Sequence, residues 1–164
     1  MNICQVLISD GWGGAETVVY QLSKHFRDKG ENVSIVLNHE IMQYYADLGG
    51  VKLLDIGPLF PPESGILGKA RDLRAPRLVR RGLVGVYSYL DEWLRSRHFE
   101  AMSARISRFL ADERTDIVHT HLPHAAFLVS NLAGRRPPMV VTLHGEQDLR
   151  RIIPVNPLRK PLIN

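Results

Sequence analysis

Residues 3–38 read ICQVLISDGWGGAETVVYQLSKHFRDKGENVSIVLN. Ile3 to Ile8 is a short, mostly apolar run that ends in Ser-Asp-Gly-Trp-Gly-Gly, the pattern of a buried strand feeding a tight turn. From Ala15 the period changes. Val18, Val19, Leu22 and Phe26 recur at helical spacing, with Lys24, Arg27, Asp28 and Lys29 mostly on the other side. Gly30 closes the segment as a helix cap should, and Val33 to Leu37 is a second apolar run. Strand, turn, helix and strand in this order are the opening unit of a parallel sheet wound by right-handed crossovers.

The rest of the chain extends that unit. A short helical candidate, His39 to Leu48, leads to a third apolar run from Val51 to Ile56. Gly57 to Gly68 holds three prolines and three glycines and reads as a loop. A basic stretch with Pro76 inside it precedes a long helical candidate from about Leu83 to Glu113. In that helix Val86, Leu90, Leu94, Met102, Ile106 and Phe109 suit one buried stripe. Asp116 to Thr120 returns to strand, His124 to Ala133 to helix and Met139 to Leu143 to strand. The predicted architecture is α/β, a Rossmann-like doubly wound parallel sheet of five or more strands over residues 1–149. Residues 150–164 form an irregular tail or the start of an interdomain connection. Sheets of this kind bind ligands at the carboxyl ends of their strands. The turns to examine are therefore Ser9 to Glu16, Asn38 to His39, His119 to His124 and His144 to Glu146.

Composition narrows the class. A chain of 164 residues suits one domain with a real core, and 45% hydrophobic against 23% charged residues is a globular balance. The single cysteine, Cys4, excludes an internal disulfide and a cysteine-built zinc site, and its apolar neighbours predict an inert buried thiol. No apolar run reaches the ~20 residues of a membrane-spanning helix. The first residues lack the pattern of a signal peptide, so a cytoplasmic protein is expected. The net charge of +4 is local: Lys69, Arg71, Arg74, Arg77, Arg80 and Arg81 stand against Asp72 alone. Such a patch can dock on anionic lipid at the inner face of the plasma membrane, although Pro76 interrupts any continuous membrane helix and most charge runs are simply solvated. It carries no interleaved aromatics or nucleic-acid motif, so no nucleic-acid partner is expected.

Three turns carry chemistry. Gly13 and Gly14 let the backbone approach a ligand, and the helix that follows points its free N–H groups into the cleft, a cradle for phosphate or sugar oxygens. The spacing is not the dinucleotide fingerprint, because Glu16 stands where the third glycine would be, and a purely geometric turn would read the same. His119-Thr-His121-Leu-Pro-His124 places His119 and His121 on one face of an extended segment. A metal site is the less favoured reading, since no carboxylate-rich segment completes a ligand set. Thr142-Leu-His144-Gly145-Glu146 ends the last strand, and His144 is the best-placed single candidate for chemistry.

These motifs, in order, resemble retaining glycosyltransferases of the large family 4. Gly13-Gly14-Ala15-Glu16 opens a helix that closes on Lys29-Gly30, and Asp116-Ile-Val-His-Thr-His121 and Val141-Thr-Leu-His-Gly145 look like the family's later N-terminal segments. The resemblance runs from residue 2 to about 146, weakest from Gly57 to Glu113. It implies one half of a GT-B architecture, two Rossmann-like domains with the nucleotide-sugar held mainly by the C-terminal one. It further implies that Gly13 and Gly14 sit against the donor diphosphate and the acceptor. His144 would lie beside the transferred sugar as the catalytic candidate, with Gly145 and Glu146 in the same binding segment. Glu16 and His121 would face the acceptor. The family needs no metal, and no resident cofactor is expected; the nucleotide-sugar is a substrate. The acceptor would be a saccharide or lipid-linked saccharide, as in cell-envelope polysaccharide synthesis.

The C-terminal donor domain of the family is absent from these residues, and with it the basic pair and glutamates that hold the nucleotide-sugar. The chain is therefore expected to be the acceptor-side half, inactive alone. The alternative is a stand-alone partner or binding module completed by a separate donor-binding chain.

Overall fold

A computed structural model of the chain describes residues 1–59, 77–132, 134 and 136–144, with side chains described for all of these except 77–93. The chain divides into two compact units, residues 1–59 with 103–164, and residues 60–102. Within the second unit the described part is the first portion of a long helix.

Five strands form the sheet of the first unit: β1 (Asn2–Leu7), β2 (Asn32–Leu37), β3 (Lys52–Asp55), β4 (Ile117–His121) and β5 (Met139–Thr142). Their order is β3-β2-β1-β4-β5, and every pairing is parallel. The α/β doubly wound expectation is met. The helices are α1 (Gly14–Asp28), α2 (Arg77–Asp112) and α3 (Leu122–Ser130), with a 3-10 helix at His39–Tyr45 where a short α-helix was expected. The long helix begins at Arg77 instead of Leu83, directly after Pro76, and α3 begins at Leu122 instead of His124. No helix among the described residues is long and apolar enough to cross a membrane.

The first crossover shows why this sequence folds locally. Gly30 takes φ +83, a left-handed conformation that a side chain resists. It lets Gly30 N–H donate to the Arg27 carbonyl (2.8 Å) and Glu31 N–H to the Phe26 carbonyl (3.1 Å), the bond pair of a Schellman cap. The inward stripe of α1 differs from the apolar reading. Ala15, Glu16, Val19 and Ser23 are buried, Leu22 and Phe26 are half-buried, and Val18 is exposed. Burial at Glu16 and Ser23 follows from helix angle, which an apolar count ignores.

The crossovers β1-α1-β2 and β4-α3-β5 run in opposite directions across the sheet. Right-handedness then places α1 and α3 on opposite faces. On the α1 face, Leu7, Ile35 and Leu37 pack with Ala15, Val19, Ile41, Tyr45 and Leu48 in one core cluster. The other face presents Cys4, Val6, Val36, Val118 and Thr120, all buried, and α3 lies against β4, β1 and β5. Burial pushes the Cys4 thiol up to about 12, as expected of an inert core cysteine. At the sheet border, Met139, Val140 and Val141 of β5 are 39–45% exposed.

Candidate functional site

Strand register lines up the carboxyl ends. Asp55, Leu37, Leu7, His121 and Thr142 form one row across the sheet. The chain leaves β1 toward β2 and β3, and returns to β4 on β1's other side, so the strand order reverses between β1 and β4. Open parallel sheets form their ligand crevice at that reversal. The turn after β1 and the end of β4 are the two segments that flank it.

The turn after β1 is held by its neighbour strand. Asn38, fully buried just past β2, accepts from Ser9 N–H through Oδ1 (2.9 Å) and donates Nδ2 to the Ser9 carbonyl (2.7 Å). The same Nδ2 donates to Glu40 Oε2 (2.5 Å), and Glu40 also accepts from Leu59 N–H at 2.9 Å. Ser9 Oγ in turn donates to the Gly11 carbonyl at 2.9 Å. These bonds set where Gly13 stands as the N-cap of α1. No side chain caps that end, which leaves the first-turn N–H groups for water or a ligand. Glu16 is only 3% exposed, and its Oε2 lies 3.1 Å from the point a Cβ on Gly13 would occupy. Glycine at 13 therefore lets the Glu16 carboxylate lie close beneath the turn, where a Cβ would press it back by a few tenths of an ångström.

Beside this turn stands an aromatic group. Trp12 lies 5.1 Å from Tyr44, 5.9 Å from Tyr45 and 6.3 Å from Tyr20, between ring centroids. Such inclined contacts suit aromatic quadrupoles. Tyr45 is fully buried and donates its hydroxyl to the Glu16 carbonyl (2.9 Å), and Tyr20 donates to Asp47 Oδ2 (3.2 Å). Trp12 and Tyr44 remain 46% and 39% exposed. A pair of fixed, exposed rings next to a polar turn can take the apolar face of a ring-shaped ligand.

On the other side of the reversal is a histidine seam. His121 is fully buried, with Nε2 2.7 Å from Gln5 Oε1 and Nδ1 3.1 Å from His144 Nε2. Its ring lies 4.1 Å from that of His119 and 5.4 Å from that of His144. His119, half-buried, bonds Thr142 Oγ1 through Nε2 at 2.7 Å. Burial and the fields of His119 and His144 push His121 down to about 3, so the ring is neutral at physiological pH. His119 is also lowered, by burial first and then by His144. Next to His121, Leu122 takes φ +69. That conformation costs a leucine roughly 1–2 kcal/mol, and it turns the chain sharply from strand into α3.

The outer strands end in a charged pair. His39 Nδ1 lies 2.8 Å from Asp55 Oδ2, and Gly57 N–H donates to Asp55 Oδ1 at 2.7 Å. The hydrogen bond to Asp55 and its charge raise His39. Partial burial alone would raise Asp55, but the bonds from His39 and Gly57 outweigh it and the carboxyl is lowered.

Of the expected site residues, Gly13, Gly14 and Glu16 share the first turn, and His121 and His144 are in direct contact. Gly145 and Glu146 lie outside the described residues, as do Lys69, Arg71 and Arg74 of the basic patch; nothing is described of the Arg77, Arg80 and Arg81 side chains. His121 is an interior residue and Glu16 is covered. Among the described residues no group of three or more His, Cys, Asp or Glu side chains is placed to hold a metal ion. Both His121 nitrogens are engaged by Gln5 and His144. Sequence reasoning named the Asn38–His39 and Ser9–Glu16 turns but missed the tie from Asn38 to Ser9, the aromatic group around Trp12, and Gln5 altogether. Gln5 had a signal: one amide inside a strand buried on both faces must find a partner. A recess of about 520 Å³ between Leu110, Asp116, Leu132 and Pro138 lies at the amino ends of β4 and β5, away from these groups.

Comparison with known proteins adds one match. The sequence model described as Glycosyltransferase Family 4 aligns with residues 12–164, including the stretch from Gly57 to Glu113 where the motifs are weakest. Among curated proteins none matches this chain.

Proposed function

Because the chain belongs to glycosyltransferase family 4, we propose that it serves as the acceptor-side half of a GT-B enzyme, moving a sugar from a nucleotide-sugar to a saccharide or lipid-linked acceptor. The observation that supports this most is the placement of the uncapped start of α1 and of His144 on the two sides of the strand-order reversal. In this reading the Gly13-Gly14 turn and the α1 N-terminus meet diphosphate and sugar oxygens. His144 lies beside the transferred sugar, with Gly145 and Glu146 in the same segment. The Trp12 and Tyr44 rings take the apolar face of an acceptor sugar, with the buried Tyr45 ring packed against Trp12. No metal or resident cofactor takes part; the nucleotide-sugar is consumed as substrate.

Sugar transfer also demands charge stabilisation on the departing diphosphate, commonly the largest catalytic contribution. The groups bonded at the two segments flanking the reversal are histidines, amides and carboxylates; Arg105 donates to the Asp55 carbonyl (2.7 Å) at the end of β3, two strands away from β1. A donor-binding domain, on the same polypeptide or a separate one, supplies that charge in this proposal. The residues 1–164 assayed alone with nucleotide-sugar are expected to show no turnover, and full turnover would overturn the need for a second domain. In the complete enzyme His144→Ala is expected to lower kcat on the order of 10²-fold or more; unchanged kcat would remove His144 from the site. A cellular product near 18.6 kDa would favour a separate donor chain, and one about twice that mass a single polypeptide.

Peripheral attachment to the cytoplasmic face of a membrane through Lys69 to Arg81 is part of the proposal. Co-sedimentation with vesicles should then require anionic lipid and vanish at high salt.

A further inference from the structure

We propose that Gln5 and His121 are positioning residues: together they hold His144 as the tautomer protonated on Nε2, with its lone pair on Nδ1. The proposal deepens the reading of His144 as the group beside the reacting sugar. It is nonetheless a property of this chain that can be measured without turnover.

The argument is a count of protons along one line of hydrogen bonds. Gln5 Oε1 can only accept, so at 2.7 Å the proton belongs to His121 Nε2. A neutral imidazole carries one proton, so His121 Nδ1 is then an acceptor. Its partner 3.1 Å away, His144 Nε2, must therefore donate. Neutrality of His121 follows from its surroundings. It is fully buried, with the His119 ring tilted beside it and His144 bonded at its other end, and no carboxylate among the described residues bonds it. Geometry and charge thus leave one arrangement of two protons over three nitrogens and an oxygen.

Gln5 sets the direction of this line. Its Nε2 is buried and has no hydrogen-bond partner among the described residues. Turning the amide over would bring Nε2 to His121, reverse that ring's tautomer and make His144 Nε2 an acceptor. The orientation with Oε1 on His121 costs an unpaired amide nitrogen, which elsewhere in a core is avoided. A cost tolerated at that atom is what a direction-setting group requires. A wrongly protonated histidine keeps its place but loses its chemistry, as when a serine-protease triad loses the carboxylate that orients its histidine.

The experiment is long-range ¹⁵N–¹H correlation spectroscopy of the histidine rings in the 164-residue chain, with each ring assigned by single substitution. In the wild type, Nε2 of both His121 and His144 should show the shift of a protonated nitrogen and Nδ1 that of a bare one. Gln5→Met and His121→Asn should leave His144 averaging between tautomers. A wild-type His144 protonated on Nδ1, or a His144 spectrum indifferent to Gln5→Met and His121→Asn, would overturn the relay. Should Gln5→Met fail to fold, the wild-type and His121→Asn spectra still decide, since a His144 indifferent to His121→Asn also overturns the relay. In the complete enzyme, His121→Asn should lower kcat about tenfold or more with little change in KM. Transfer that survives His144→Ala while the tautomers stand as stated would sink the functional reading and leave the relay intact.

Discussion

The same face of the same sheet is built in two ways on either side of β1. Toward β2 and β3 the rows read Leu7, Leu37 and Ile35, sealed by Val19, Ile41 and Tyr45. Toward β4 and β5 the matching rows read His121, Thr142, His119 and Val140, with Gln5 on β1 itself facing His119. The apolar side is closed by non-directional packing, which tolerates small shifts. The histidine side is closed by hydrogen bonds, which tolerate few, and its border strand is left exposed. Stability and chemistry are thereby separated within one sheet, and each half can be perturbed without rebuilding the other.

The largest effect should come from the apolar half. Leu37→Ala removes a fully buried side chain from the main cluster and is expected to cost about 2–5 kcal/mol in a denaturant titration. A cost below that range would mean that the cluster relaxes more freely than its burial implies. Next comes the joint between halves. Asn38→Ala leaves Ser9 N–H and the Ser9 carbonyl without their partner and takes one bond from Glu40, at about 1–3 kcal/mol. The same variant should increase hydrogen exchange across residues 9–14, and unchanged exchange would mean that the turn holds itself.

The histidine half should reveal itself through pH. His121 is depressed from an ordinary 6.5 to about 3, so below pH 6.5 the unfolded chain binds a proton that the folded one refuses. Stability should fall as pH drops through that window, with a slope of up to about 1.4 kcal/mol per pH unit from this group. His119, also lowered, adds in the same direction. His39 has the opposite sign: its raised value contributes stability below its ordinary pKa that is lost as pH rises through the folded one. His121→Asn should flatten the acid slope, and His39→Gln only the neutral limb. Equal slopes in all three proteins would erase the distinction between the halves. The smallest effect is expected on the border strand, where Val141→Thr should change stability by no more than about 0.5 kcal/mol.

Much of this was readable from the chain itself. The apolar runs, the Gly30 cap and the order of turns suffice for a parallel doubly wound sheet, because each is a local property with a fixed period. Period-two alternation also placed His119 and His121 on one face. It could not say that this face meets Gln5, because the contact joins residues 116 apart in sequence and depends on β1 lying next to β4. Val18 was placed in the buried stripe, and the burial of Glu16 went unread, for a related reason. The direction of the α1 stripe is set by where the Gly13 turn leaves the helix, and that turn is itself fixed by Asn38 from another strand. Tertiary ties of this kind leave no period behind them.

The tie between Asn38 and Ser9 has a consequence for how such a mouth can vary. Both of its bonds to position 9 fall on the main chain, on an N–H and a carbonyl that every residue except proline supplies. Lettering at position 9 can therefore change while the tie itself survives, at the loss of the serine's own bonds to Gly11. All of that freedom is underwritten by one interior amide. A lineage could redraw the edge of this crevice many times over, so long as Asn38 stayed where it is.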